Sequence, residues 1–324
     1  MTQLITRTCL FAALSAATLF TGCGSDDDKT SANMAASGGT SGNGTGGTGN
    51  TASSSDIVAT AVAAGSFTKL AAALTTAGLV DALKGPGPFT VFAPTDAAFA
   101  AFEAANPGVL ASLSKDQLAA VLKYHVVAAK VTSKDLVSGS LVETLNGARA
   151  AIDLSSGATV AGSKVTQADV MASNGVIHVI DKIMMPPSKD IVATAAAAGS
   201  FTKLAGALTA TGLDATLQGA GPFTVFAPTD AAFAAFEAKN PGVLASLSKS
   251  QISDILLYHV VSGWVGAADL KNGESVNTAL TGKALKVTIA SGVKVNDSNV
   301  TAANIVATNG VIHVIDAILL PPTN

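Results

Sequence analysis

The residues with the clearest capacity for chemistry are four histidines: His125, His178, His259 and His313. They fall in two recurring contexts. Tyr124-His125-Val126-Val127 returns as Tyr258-His259-Val260-Val261, and NGVIHVID begins at both Asn174 and Asn309. An imidazole exchanges protons near neutral pH or ligates a metal. His125 and His178, with Asp181, would be the group for a base or metal centre. Two imidazoles without a converging carboxylate cluster fall short of either. His178 lies between Ile177 and Val179, with Val176 and Ile180 on its own face of a strand. His125 ends a helix or opens a strand, where an imidazole can satisfy terminal carbonyls. The favoured reading is four buried, hydrogen-bonded rings, so loss of His178 should cost stability rather than an activity.

The carboxylates read the same way. Asp96 and Asp230 each follow Pro-Thr ahead of a helix, where a cap contributes about 1 kcal/mol. Asp181 and Asp316 follow the histidine strand, placed to pair with a helix end or with the Tyr-His block. Gly87 and Gly221 lie outside any phosphate-loop pattern, and no serine sits in a G-x-S-x-G elbow. Cys9 and Cys23 are the only cysteines and both are N-terminal. That excludes a disulfide scaffold or a cysteine-based metal or nucleophile site in the folded part. The chain reads as no enzyme, with no cofactor and no metal. Its net charge of −3 gives no basic footprint for nucleic acid.

The elements that would position these residues come twice. Asp56-Ile57-Val58-Ala59-Thr60 recurs at Asp190, 134 residues later. GPFTVFAPTDAAFAAFEA, starting at Gly87, recurs at Gly221, and each copy ends in Pro-Pro. A period this long denotes whole domains rather than stacking repeats. The copies span 56–187 and 190–322, and the short Pro-containing join at 184–189 restricts their relative orientation. Within one copy, Asp56 caps a first helix and Ser66 a second, Phe67 to Thr75. Phe89 to Phe92 is a strand ended by Pro94. Thr95 or Asp96 caps a short helix. Ser114-x-x-Gln117 is a capping box, repeated as Ser248-x-x-Gln251. Short β-runs follow at Leu141–Leu145, Ala148–Leu154 and Lys164–Gln167. A last strand, Gly175 to Met185, is apolar on both faces. Helices early and strands late make each copy α+β. With 48% hydrophobic and only 5% aromatic residues, the cores should be aliphatic, with Phe as the large filler.

Residues 1–22 have the layout of a secretory signal, with an apolar run from Cys9 to Phe20 too short to span a bilayer. Leu19-Phe20-Thr21-Gly22-Cys23 resembles a bacterial lipobox, although Phe stands where Leu is usual. The resemblance implies acylation of Cys23; the alternative is an ordinary signal with an incidental cysteine. Two or more acyl chains give stable anchoring. Gly24 after the cysteine, by resemblance to the sorting pattern, implies the outer membrane. Residues 23–55 form a Gly/Ser/Thr-rich stalk with no hydrophobic periodicity, unable to fold alone and with a span of about 30 Å.

TVFAPTDAAF, then Tyr-His, then NGVIHVID with a Pro-Pro end, together resemble the fasciclin domain family. The resemblance covers Asp56–Pro187 and Asp190–Pro322. It implies a wedge of β-strands flanked by helices, and a role in adhesion or matrix interaction at a cell surface. The partner would be a cell-surface or matrix protein or polysaccharide. By the same resemblance, adhesion motifs map to Tyr124-His125, Tyr258-His259 and Asp169-Val170-Met171; in the second copy the last becomes Asn304-Ile305-Val306, without the acid. A different reading is a surface or periplasmic receptor for a small apolar ligand or lipid, held between sheet and helices. Where the copies differ, at Asp169 against Asn304 and Lys130 against the sole tryptophan Trp264, a specific binding function is sought first.

Overall fold

A computed structural model of the chain describes residues 55–290 and 292–322. The signal segment, Cys23 and nearly all of the stalk lie outside the described residues. The first copy opens with helices α1 (Ile57–Ala63), α2 (Thr68–Ala77) and α3 (Val80–Lys84), then strand β1 (Phe89–Pro94). Helices α4 (Asp96–Ala105), α5 (Val109–Ser112) and α6 (Lys115–Tyr124) follow. Strands β2 (Val126–Val127), β3 (Leu141–Glu143), β4 (Arg149–Asp153), β5 (Thr159–Val160), β6 (Ser163–Ala172) and β7 (Gly175–Ile180) complete it. The second copy repeats the order: α7 (Ile191–Ala198), α8 (Thr202–Thr211), α9 (Asp214–Leu217), β8 (Phe223–Pro228), α10 (Asp230–Lys239), α11 (Val243–Ser246) and α12 (Lys249–Tyr258). It closes with β9 (Val260–Ser262), β10 (Ser275–Asn277), β11 (Ala284–Ile289), β12 (Val293–Val295), β13 (Ser298–Ala307) and β14 (Gly310–Ile315).

Each copy folds its strands into one seven-stranded sheet, ordered β2-β1-β7-β6-β5-β4-β3 in the first and equivalently in the second. The α+β architecture is that expected from the sequence. Central strands β1 and β7 run parallel, from Phe89 opposite Gly175 to Pro94 opposite Ile180. Both are buried on two faces, as their continuous apolar runs require. Val91, Ala93, Ile177 and Val179 pack against Phe67, Leu70, Phe99 and Val121 of the helices. Phe92 and Ile180 face a second core with Tyr124, Ile152, Val160 and Met184. Each large side chain so buried contributes roughly 1.5–3 kcal/mol.

Local signals set the helix starts. Asp56 accepts from Ala59 N (2.7 Å), and Thr95 Oγ1 from Ala98 N (3.2 Å). Both capping boxes close, at Ser114/Gln117 and Ser248/Gln251. Ser66 does not cap α2. Asp96 does so from a distance, accepting from Thr68 N (3.2 Å), Lys69 N (2.8 Å) and Thr68 Oγ1 (2.7 Å). The β1–α4 turn brings that carboxylate to the exposed amides of a helix start. The bonds from the Lys69 amide and the Thr68 hydroxyl hold Asp96 below the usual carboxylate range.

The last strand is shorter than its apolar run suggests. It ends at Ile180, because Asp181 turns aside to accept from Lys164 N (2.8 Å) at the start of β6. Asp316 does the same with Asn299 N (2.8 Å) and Asn299 Nδ2 (2.6 Å). Neither aspartate reaches a helix end or the Tyr-His block. Strand β6 is longer than the expected Lys164–Gln167, and its register slips on either side of Gln167. The exposed polar stretch Thr166-Gln167-Ala168 bulges out there.

Asn174 joins the two halves of the copy. Its Oδ1 accepts from Ile57 N (2.9 Å), and its Nδ2 donates to Leu83 O (2.8 Å) and Gly85 O (3.0 Å). Asn309 makes the same three bonds, to Ile191, Leu217 and Gly219. A Cβ on the neighbouring Gly175 would collide with the Phe89 carbonyl, so the Asn-Gly pair is required where β7 starts beside β1.

Candidate functional site

The Tyr-His block lies inside the fold. Tyr124, His125, Tyr258 and His259 are each only 2% exposed, so none presents its side chain to a partner. His125 caps α6. Its Nε2 accepts from Met184 N (3.0 Å), which places the proton on Nδ1, and Nδ1 donates to Val121 O (2.7 Å). His259 does likewise with Leu319 N (3.0 Å) and Ile255 O (2.7 Å). Burial away from water pushes both imidazoles down to about 4. Tyr124 donates to Arg149 O (3.0 Å) on β4, and burial pushes its phenol up to about 12.

His178 is also fully buried, on the sheet face carrying Phe92, with which it stacks at 5.5 Å. Its surroundings are therefore aromatic and polar as well as aliphatic. Its Nδ1 accepts from Asp169 N (3.4 Å) and its Nε2 donates to Val131 O (2.9 Å). Thr90 of TVFAP, likewise buried, holds the same segment by donating to Ala129 O (2.6 Å) and accepting from Val131 N (2.8 Å). In the second copy Thr224 binds Gly263 O (2.7 Å) and Val265 N (2.9 Å), and His313 binds Val265 O (2.8 Å). Burial lowers the affinity of His313 for a proton too. Thus two buried motifs clamp one loop, 129–134 in the first copy and 263–268 in the second. The threonines were not singled out in the sequence; their signal is a polar residue inside an otherwise apolar strand that occurs twice.

Each ring nitrogen of the four histidines has a backbone partner, so none is left to ligate a metal or abstract a proton. Among the described residues no three His, Cys, Asp or Glu side chains converge as a metal site.

The clamped loop is where the copies differ. Lys130-Val-Thr-Ser-Lys134 in the first becomes Trp264-Val-Gly-Ala-Ala268 in the second. Asp169 also changes, to Asn304. In the first copy Lys130, Ser133 and Lys134 are exposed, whereas Asp169, Val170 and Met171 are half-buried. The Asp169 carboxylate accepts from Ser133 N (2.8 Å) and the Ser133 hydroxyl. Burial acts to raise its pKa, but the two Ser133 bonds outweigh it and keep the group low.

In the second copy the same loop docks onto the first copy. The Arg149 guanidinium lies 5.4 Å from the Trp264 ring centroid. Asn304 accepts from Ala267 N (3.0 Å) through Oδ1, and its Nδ2 donates across to Gly139 O (2.8 Å). Ala268 N donates to the same carbonyl (3.0 Å). An aspartate could not make the crossing bond. Gly139 adopts φ +82°, and a Cβ there would press on Ala267 at 3.1 Å. A Cβ on Gly266 would meet Gly139 O at 3.0 Å and Leu141 at 3.1 Å. The small residues of this loop are what permit the close approach.

The arrangement defines a tandem α+β protein whose twice-repeated polar motifs build a frame, and whose variable loop in the second copy packs against the first. A fasciclin domain model matches residues 65–186 and 199–321, and the chain belongs to the fasciclin domain family. It is 46% identical over 132 residues to the uncharacterized protein sll1735 of Synechocystis sp., covering 40% of this chain and 97% of that one. Human periostin is 32% identical over 257 residues, 77% of this chain and 29% of periostin. Transforming growth factor-beta-induced protein ig-h3 of Sus scrofa is 30% identical over 244 residues, 74% of this chain and 35% of that protein. The chain thus spans about a third of the length of these two animal relatives. A solved FAS1 domain pair from the insect cell adhesion molecule Fasciclin I covers 80% of this chain and is itself covered over 98%, with 19% identity and a TM-score of 0.41.

Proposed function

We propose that this chain is a non-enzymatic, lipid-anchored surface protein that mediates adhesion or matrix interaction, with Cys23 as the lipidated residue and the outer membrane as its site. Family membership supports the adhesive reading, since fasciclin domains occur in matrix and adhesion proteins. The lipobox-like run ending at Cys23 supports the anchor. Among the described residues no helix is long and apolar enough to cross a membrane, so an anchor of another kind is in keeping.

The observation that carries the reading is the loop clamped by Thr90 and His178. Its counterpart in the second copy docks a protein surface, and in the first copy it stands exposed. Lys130, Ser133 and Lys134, beside Asp169-Val170-Met171, make the binding face for a surface or matrix protein or polysaccharide. Tyr124, His125, Tyr258 and His259 act through this frame rather than by touching the partner. Linked copies on a stalk suit avidity between weak sites. Deleting the gene should reduce attachment and biofilm cohesion; unchanged attachment on several surfaces would refute the proposal.

A further inference from the structure

The second copy contains an apolar cavity of about 300 Å³ between α8, α10, α11 and α12. Leu204, Phe233, Leu244, Leu247 and Ile255 form its walls, and His259 lies at its inner end. In the first copy the matching groups pack together instead. Phe99 is buried there, and Leu110 and Leu113 lie against the helical core. Their counterpart Phe233 is only half-buried, and Leu244 and Leu247, half-buried like Leu110 and Leu113, do not join the core of the second copy. The helix beneath differs in shape, with Ile252 for Leu118 and Ile255 for Val121. The buried Val121 becomes a half-buried Ile255 that faces the cavity.

Polar groups in the cavity are few. Both ring nitrogens of His259 are taken by Ile255 O and Leu319 N, so the ring offers only C–H edges. Lys203 is exposed at the mouth and makes no salt bridge among the described residues. The Lys203 charge acts on the nearby Asp230 carboxylate, which accepts from Thr202 N, Thr202 Oγ1 and Lys203 N. Glu237 lines an adjoining hollow that Lys203, Phe233 and Leu244 share with the cavity.

We infer that this cavity binds a free medium-chain fatty acid, its hydrocarbon chain inside and its carboxylate at Lys203. Apolar walls select the chain, and the rim cation selects an anionic head. The volume lies at the lower end of ligand pockets, about 300–1,000 Å³, which suits one chain rather than the two of a phospholipid. The inference is independent of the adhesive face, which lies on the other copy.

The test is calorimetric titration of dodecanoate into the exported full-length chain carrying Cys23→Ser, so that no lipid attached at residue 23 competes. One equivalent should bind. Lys203→Glu, an exposed change, should weaken dodecanoate about tenfold and leave dodecanol binding unchanged. Leu244→Trp should fill the cavity and abolish both, with an unchanged circular dichroism spectrum showing that the chain is folded. Absence of dodecanoate binding, two equivalents, wild-type affinity in Lys203→Glu, or preference for diacyl phosphatidylglycerol vesicles would each overturn the inference.

Discussion

Arg149 of the first copy lies with its guanidinium 5.4 Å from the ring centroid of Trp264 in the second. The carbonyl of the same arginine accepts the Tyr124 hydroxyl. One residue of the Tyr-His block therefore fixes the strand position from which the first copy grips the second. Partly shielded cation–aromatic pairs contribute on the order of 0.5–2 kcal/mol. The nearby Arg149–Glu143 ion pair (3.7 Å), with Glu143 largely exposed, adds little.

Asn304→Asp should loosen the two copies. The crossing donor to Gly139 O is lost, and a carboxylate is left facing a carbonyl, at a cost of about 1–3 kcal/mol. Small-angle scattering should show a larger radius of gyration, and limited proteolysis faster cleavage in 184–189. Asp169→Asn is the control: its side chain bonds only within the first copy, so scattering should not change.

Gly266→Thr installs the residue found at the matching position of the first copy. Its Cβ would meet Gly139 O and Leu141. Calorimetry should resolve two unfolding transitions where the wild type gives overlapping ones, while each copy keeps its own fold. A single unshifted transition would show that the contact does not couple the copies.

Acid should destabilise the protein well above the carboxylate range. His125 and His259 titrate at about 4 when folded, against an ordinary value of 6.5. Between these values the unfolded chain binds more protons, so stability is fully present above about pH 6.5 and is lost as pH falls toward 4. Each ring accounts for roughly 3 kcal/mol over the window. Urea midpoints should stay level from pH 7.5 to about 6.5 and then fall toward pH 4.5, and His125→Gln should flatten the fall while lowering the plateau.

Ala161→Asn should stabilise the first copy. Ala161 adopts φ +48°, a left-handed conformation unfavourable to alanine by roughly 1–2 kcal/mol. The second copy has Asn296 there at φ +52°, accepting from Lys286 N (2.9 Å) and donating to Tyr258 OH (3.0 Å). A midpoint rise worth about 1 kcal/mol is expected; a fall would mean that the added side chain clashes with the second copy.

Features written in neighbouring residues were legible in the sequence. The Asp56 cap, the Ser114/Gln117 box and the doubly buried strand at Gly175 depend on spacings of a few residues, and the repeat made each visible twice. Long-range partners were not. Asn174 meets Ile57 across 117 residues, and Asp96 caps a helix that begins 28 residues earlier. No local pattern encodes such pairings. The Tyr-His block reads as a contact motif only through the family resemblance; its flanking valines mark the interior in which the fold places it. The two differences singled out between the copies, at 130/264 and 169/304, proved to be neighbours because one clamped loop brings them together. The glycine and alanines beside Trp264 complete that face, although small residues carry no chemical signal of their own.

The most direct test of the adhesive account is to exchange residues 130–134 for the sequence of the second copy, Trp-Val-Gly-Ala-Ala, and measure attachment of cells carrying the altered chain. The account predicts attachment falling to the level of the gene deletion while the thermal midpoint stays within a few degrees of wild type. Wild-type attachment by the exchanged chain would contradict it.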